Sequence, residues 1–238
     1  MSYFGGLQKG TWEIIGQDIR ITKTAEPQFA LYGRNLNSLG NKTQVDFSMD
    51  ADNGVMVGLD SNKKSHLKPV FNEGANCYRH PYIFTQNEKL VQLHAAQTIR
   101  EDVDTNLEEK SYSQVYHFNI FGVYNDLILI NLPSEYTEKW SALITFENDK
   151  LYLEYSDEGM QKSPIDSLSE EDISMINHFS KQSLFPNQIQ SGDEFFPYSE
   201  NPTQEELKPY NRIDVLEISQ KVITIEETPF FTATCGED

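Results

Sequence analysis

Hydrophobic and polar residues alternate with a period of two along much of the first two-thirds of the chain. Thr43, Val45, Phe47 and Met49 interleave with Gln44, Asp46, Ser48 and Asp50, a pattern that predicts a strand with one buried and one wet face. It runs into Asp52-Asn53-Gly54, after which Val55, Val57 and Leu59 follow. Asn-Gly supplies the positive φ angles of a tight turn, so the pattern predicts a hairpin across these two strands. A second hairpin is predicted at Asn148-Asp149-Lys150, joining Trp140, Ala142, Ile144 and Phe146 to Leu151, Leu153 and Tyr155. Further strands are read at 12–15, 19–22, 29–32, 78–84, 89–95, 114–121 and 127–130. Short strands at about 10-residue spacing point to a mainly β protein, an antiparallel sandwich or barrel, rather than a parallel α/β sheet.

One segment changes period. Ser169 suits a helix N-cap, and Glu170, Glu171 and Asp172 place negative charge at the positive end of the helix dipole. Leu168 and Ile173 have hydrophobic-staple spacing, while Ile173, Ile176 and Phe179 make a one-sided apolar stripe suited to lying on a sheet. The helix is expected over about 169–182 and is stopped by Pro186. From 186 to 210 the chain reads as a long acidic loop, punctuated by Gly192, Pro197, Pro202 and Pro209, and is expected to be mobile or ordered by a partner. A closing strand pair is expected at 212–218 and 221–226. The expected organisation is one β-rich domain over 1–238, with core strands at about 11–156.

Charge is distributed very unevenly over this layout. Residues 1–100 hold 11 Lys and Arg against 9 Asp and Glu, whereas residues 101–238 hold 8 against 28. The second part therefore carries a charge of −20 against +2 in the first, and the two sum to the net charge of −18. Such a field governs solubility, encounter and partner choice, and it argues against a phosphate-binding, nucleic-acid surface. Aromatic residues make up 12% of the chain, too many for overall disorder at this charge. No apolar run reaches membrane-spanning length, and the first residues lack the pattern of a signal peptide, so a soluble cytoplasmic protein is expected. In that setting Cys77 and Cys235 are read as free thiols, with one long-range disulfide as the alternative.

Local chemical motifs are scarce. The spacings that hold zinc or iron are missing, and no metal or cofactor is expected. Asp50-Ala51-Asp52-Asn53-Gly54 is one residue short of a calcium loop and has Ser61 where a bidentate Glu is needed, so it reads as a polar turn. Gly-x-Ser-x-Gly is absent, and neither cysteine is read as an activated nucleophile. His94 and His117 each fall opposite the apolar set of their strand, Val91, Leu93 and Ala95 for one and Tyr116, Phe118 and Ile120 for the other. If those strands are neighbours, both imidazoles line one ligand cavity; if not, they are ordinary polar-face residues.

Gly10-Thr11-Trp12, ahead of many strands and a late helix, resembles the opening of lipocalin-type barrels. Only this triplet matches, and a jelly-roll lectin would open equally well in this way. The resemblance implies a small-ligand or carbohydrate binder, which is one alternative function; an enzyme with a dispersed carboxylate and histidine site is another. The leading expectation is a non-catalytic acidic protein that binds a basic protein, as an inhibitor or immunity-like partner would. Its candidate contact residues are Glu101, Asp102, Asp104, Glu108 and Glu109, together with Asp193, Glu194, Phe195, Phe196 and Tyr198.

Overall fold

A computed structural model describes residues 10–48, 54–61, 66–77, 81–97, 114–132, 137, 139–147, 150–153, 160–161, 169–181, 185–197, 199–219 and 224–234. The described residues form a mainly β structure with three open sheets, none closed into a barrel, and the barrel expectation is corrected accordingly. The chain divides into two compact units, one made of 1–28 and 133–184 and the other of 29–132 and 185–238.

The first unit holds a five-stranded antiparallel sheet. Its strands β1 (Gly10–Ile15) and β2 (Asp18–Lys23) form a hairpin, with Ile15 opposite Asp18 and Gly16 at a φ of 66° in the turn. The 148–150 hairpin is present: Glu147, at the end of β11 (Ser141–Glu147), pairs with Lys150, at the start of β12 (Lys150–Leu153). β11 also pairs with β2, and β12 with the short β13 (Met160–Gln161). Trp12 lies on the outer strand and is 68% exposed, so the triplet shared with lipocalin-type openings does not plug a barrel here. The helix α1 (Glu170–Lys181) forms where the capping pattern placed it, and Ile173 N–H donates to the Ser169 carbonyl at 3.0 Å. Ile173 is exposed, contrary to the packed stripe expected, while the side chains of Ile176 and Phe179 lie outside the described set.

The second unit holds two sheets that feed one core. One has the order β14 (Gln188–Ile189), β15 (Tyr210–Ile213), β3 (Phe29–Arg34), β10 (Asp126–Asn131), β4 (Thr43–Ser48), β7 (Ile83–Gln86). The other runs β16 (Val215–Ser219), β9 (Val115–Asn119), β8 (Gln92–Gln97), β5 (Val55–Asp60), β6 (Lys68–Pro69). Phe29, Leu31, Val45, Phe47, Leu127 and Leu129 of the first sheet share a hydrophobic cluster with Val55, Val57, Leu59, Leu93, Ala95 and Phe118 of the second. On β4 the burial follows the alternation: Thr43, Val45 and Phe47 are buried and Gln44, Asp46 and Ser48 only partly so.

One expected hairpin is therefore absent. β4 and β5 flank Asp52-Asn53-Gly54 but belong to different sheets. The alternation is right and the pairing is not. An apolar face satisfies itself against the opposing sheet as well as against a hairpin neighbour, and period-two pattern cannot distinguish the two. β4 instead pairs parallel with β10, with Phe47 opposite Leu129. The segment 212–218, expected as one closing strand, is divided at Asp214 between β15 and β16 of different sheets, and 221–223 of its expected partner lie outside the described residues.

The C-terminal tail closes the end of this core. Phe230 and Phe231 N–H groups donate to the Pro69 and Val70 carbonyls at 3.0 and 2.9 Å, and Asn76 and Cys77 N–H groups donate to the Ala233 carbonyl at 2.8 and 3.1 Å. Phe230 and Phe231 pack on Phe47 with ring centroids 5.7 and 5.9 Å apart, and Phe231 also meets Phe71 and Tyr82. Cys77 is disulfide-bonded, and the sequence has one other cysteine, Cys235. The free-thiol expectation is corrected by this bond. The reason is topological: the tail hydrogen-bonds beside Cys77, a long-range adjacency that no local spacing announces.

Phe47 is fully buried in the cluster that residues of both sheets share, against Phe230 and Phe231 of the tail. Phe47→Asp is expected to cost about 4 kcal/mol or more, because it combines a cavity with an unpaired buried charge. Chemical denaturation should show this loss, whereas an unchanged midpoint would mean that the core has been placed on the wrong face.

Candidate functional site

The five-stranded sheet of the second unit brings together four polar side chains that lie far apart in sequence. Leu93 and Ala95 of β8 enter the shared core, so pleat alternation turns His94 to the opposite face. The antiparallel register sets His94 directly opposite His117 of β9, and β8 also pairs with β5, whose last residue is Asp60. β16 pairs with the other edge of β9 and ends at Ser219.

These side chains form a continuous hydrogen-bonded series. His94 Nε2 lies 3.2 Å from Asp60 Oδ2, His94 Nδ1 lies 2.7 Å from His117 Nδ1, and His117 Nε2 lies 2.8 Å from Ser219 Oγ. The imidazole rings meet edge to face, with centroids 4.7 Å apart. Asp60 and His94 are buried, and Ser219, at the far end, is partly exposed. One proton arrangement keeps both imidazoles neutral with the carboxylate ionised. His94 Nε2–H donates to Asp60, His117 Nδ1–H donates to His94 Nδ1, and the Ser219 hydroxyl donates to His117 Nε2. Adding one proton reverses the middle links: His94 donates from both nitrogens, and His117 donates to Ser219. The arrangement can therefore accept a proton from the serine end or deliver one to it.

No protein-family model, curated protein or solved structure matches this chain. Its chemistry has to be read from its own residues.

Among the described residues no group of three or more His, Cys, Asp or Glu is placed to hold a metal. A groove of about 350 Å³ is lined by Leu59, His66, Lys68, Phe84, Gln86, Glu226 and Phe230. The His94–His117 pair does not line that groove.

A second polar centre orders the acidic segment. Arg34 and Asp126 face each other across the β3–β10 pair, both side chains are buried, and Arg34 Nε donates to Asp126 Oδ2 at 2.6 Å. Asp126 also accepts from Tyr210 Oη at 2.7 Å and Gln44 Nε2 at 2.8 Å. The Arg34 Nη1 group donates to the carbonyls of Glu206 and Lys208, the latter at 3.0 Å, and the guanidinium lies 4.0 Å from the Tyr210 ring centroid and 5.6 Å from that of Phe196. Segment 186–210 is thus tied down at several points. β14 pairs with β15, Tyr32 Oη donates to the Pro186 carbonyl at 2.8 Å, and Asp193 Oδ2 accepts the Gln190 N–H at 2.7 Å. Thr203 and Glu206 form a reciprocal capping box.

The electrostatics follow from this packing. Burial pushes Asp46 up to about 6, with Asp126 nearby adding to the shift. Burial also raises Tyr32 to about 12, and holds Tyr210 far above its ordinary value, reinforced by the Asp126 charge. Glu205 is lowered by the Asn37 N–H and further by the Ser38 N–H, and Glu206 by the Thr203 N–H.

Of the sequence-predicted contact residues, Asp193 and Glu194 are exposed, while Phe195 and Phe196 are partly buried. Phe196 packs edge-on against Tyr210, with centroids 5.7 Å apart. Glu101, Asp102, Asp104, Glu108, Glu109 and Tyr198 lie outside the described residues. Sequence reasoning missed Asp60, Ser219, Arg34, Asp126 and Tyr210. Thr203-x-x-Glu206 was a readable capping signal, and it would have predicted order within the acidic segment.

Two outcomes test this centre. Arg34→Met is expected to cost about 3 kcal/mol by leaving Asp126 without its buried counter-charge, and to expose 187–208 to early proteolytic cutting. Asp46 has a folded pKa above its unfolded value, so the stability it contributes is complete below about pH 4 and is lost as pH rises through 6. Asp46→Asn should therefore raise stability at neutral pH by about 1–2 kcal/mol, allowing for solvent screening at this partly exposed group, and flatten that interval. Denaturant midpoints measured from pH 4 to 8 check the sign.

Proposed function

We propose that this chain is an acidic binding protein that offers its 187–206 segment to a basic protein partner, in an inhibitor or immunity-like role. The observation that carries the reading is the anchoring of that segment by Arg34. Asp193, Glu194 and Glu200 are exposed on the stretch that leads to Glu206 and Lys208, whose carbonyls accept from the buried Arg34 guanidinium. A pre-ordered acidic surface gives up little conformational entropy when a partner binds, and its field steers a cationic protein into encounter. The 101–109 carboxylates extend the same sign of charge in sequence. We read the two sheets of the second unit as the layers of a sandwich that supports this surface. The disulfide at Cys77 favours an oxidising compartment over the reducing cytoplasm as the place where the partner is met.

The test is association kinetics with a partner isolated by affinity capture. The combined variant Asp193→Asn, Glu194→Gln, Glu200→Gln should lower the association rate about tenfold at low salt, with a much smaller change in dissociation. Near 0.15 M ionic strength, where screening falls to roughly 8 Å, the difference from the unmodified protein should shrink. A salt-independent association rate, or an acidic partner, would overturn the reading.

A further inference from the structure

We infer that Ser219 is a base-activated nucleophile, with His117 as its general base and His94 and Asp60 as positioning residues, suited to hydrolysis of a carboxylic ester. The inference goes beyond the binding role and rests on a different sheet.

The geometry has the hydroxyl, the base and the orienting group of nucleophilic serine chemistry. His117 presents Nε2 to the hydroxyl at 2.8 Å and Nδ1 to an orienting group at 2.7 Å, the same use of the two ring nitrogens as in a Ser-His-Asp arrangement. Here the orienting group is a second imidazole, His94, whose tautomer is fixed by the Asp60 carboxylate at 3.2 Å. Burial grades along the series, from Asp60 at 8% and His94 at 7% exposure to the partly exposed Ser219. The charged end is thus sheltered and the reactive end accessible. A purely structural role would be served as well by apolar residues, since Ala96 and Val115 on this same face sit in a local apolar cluster.

The substrate class follows from the orienting group. A neutral imidazole stabilises the His117 imidazolium less than an adjacent carboxylate would, so the site favours a substrate whose leaving group needs little protonation. That describes an ester better than an amide. As Oγ bonds to the ester carbonyl carbon, its proton passes to His117 Nε2. The carbon–alkoxy bond then breaks, and the leaving alkoxide takes that proton and departs as an alcohol. Water attacks the acyl-serine, gives its proton to the same nitrogen and releases the carboxylic acid, while Oγ recovers its hydrogen. The net reaction consumes one ester and one water.

The experiment uses the full chain, an alkyl fluorophosphonate probe and p-nitrophenyl acetate. One adduct per chain, mapped to Ser219, is expected, with an acyl-enzyme burst of matching stoichiometry. Ser219→Ala should abolish both. His117→Gln should slow labelling at least a hundredfold, and His94→Gln should slow it about tenfold and move its pH midpoint. That midpoint reports the coupled group formed by Asp60 of β5, His94 of β8 and His117 of β9, with Glu217 of β16 opposite His117. Ser219→Cys supplies a second measurement that does not depend on removing the base. Its thiol should react with iodoacetamide at neutral pH at least tenfold faster than glutathione does. Melting temperatures identify variants that fail to fold. Labelling spread over several serines, Ser219 labelling that persists unchanged in a folded His117→Gln variant, or a thiol in the Ser219→Cys variant no faster than glutathione would each overturn the assignment.

Discussion

Arg34 and Asp126 stand opposite each other at the centre of a six-stranded sheet, and much of the second unit is arranged to make that buried pair tolerable. An ionised pair taken out of water gains only if the remaining donors and acceptors are satisfied. Asp126 therefore also receives Tyr210 and Gln44, and Arg34 directs its further hydrogens to the Glu206 and Lys208 carbonyls. The consequence is structural as well as electrostatic. Tyr210 sits on an added strand, Glu206 and Lys208 sit in an acidic segment, and the guanidinium holds both against the sheet. A segment rich in proline and carboxylates, which would repel itself in isolation, is held by that cation together with the β14–β15 pair and the Tyr32 hydrogen bond to the Pro186 carbonyl.

The same logic applies with a different result on the other sheet. The Asp60–His94–His117–Ser219 series is also a polar network on a largely apolar scaffold, but it grades outward instead of closing on itself. The Arg34 centre ends on backbone carbonyls, which cannot exchange protons, so it behaves as a clamp. The histidine series ends on a hydroxyl beside solvent, and each of its links can pass a proton. One network thus fixes a segment, and the other, on the reading proposed above, activates a serine.

The sequence read well wherever the information is local. Alternation at Thr43–Ser48 gave the strand and its buried face, Asn148-Asp149 gave a hairpin, and Ser169 with its acidic followers gave a helix start. Pairing was harder to read, because β4 and β5 bury the same kind of face whether they pair with each other or oppose each other across a core. The His94–His117 contact was half legible, since alternation fixed the face of each ring but only strand order decides adjacency. Ser219 and Asp60 were illegible, because each is an unremarkable polar residue at a strand end. β3, β5 and β10 are buried along their whole length, so they show no alternation that would reveal Arg34 and Asp126 as a pair.

These placements also set opposing demands on pH. The native state favours a protonated Asp46, so its contribution fades as pH rises from about 4 through 6, and the repulsion of a chain with net charge −18 acts in the same direction. Glu205 and Glu206 pull the other way. Their native pKa values are lowered by backbone N–H groups, so their contribution is present above the unfolded value and is lost as pH falls through the folded one. Both are at the surface, where screening keeps such effects small. The more sheltered Asp46 should therefore outweigh them between about pH 4 and 6. The histidine series imposes a third condition, because Ser219 donates to His117 only when both imidazoles are neutral. The two sheets thus answer to protons at different groups, a carboxylate in one and the imidazole pair in the other.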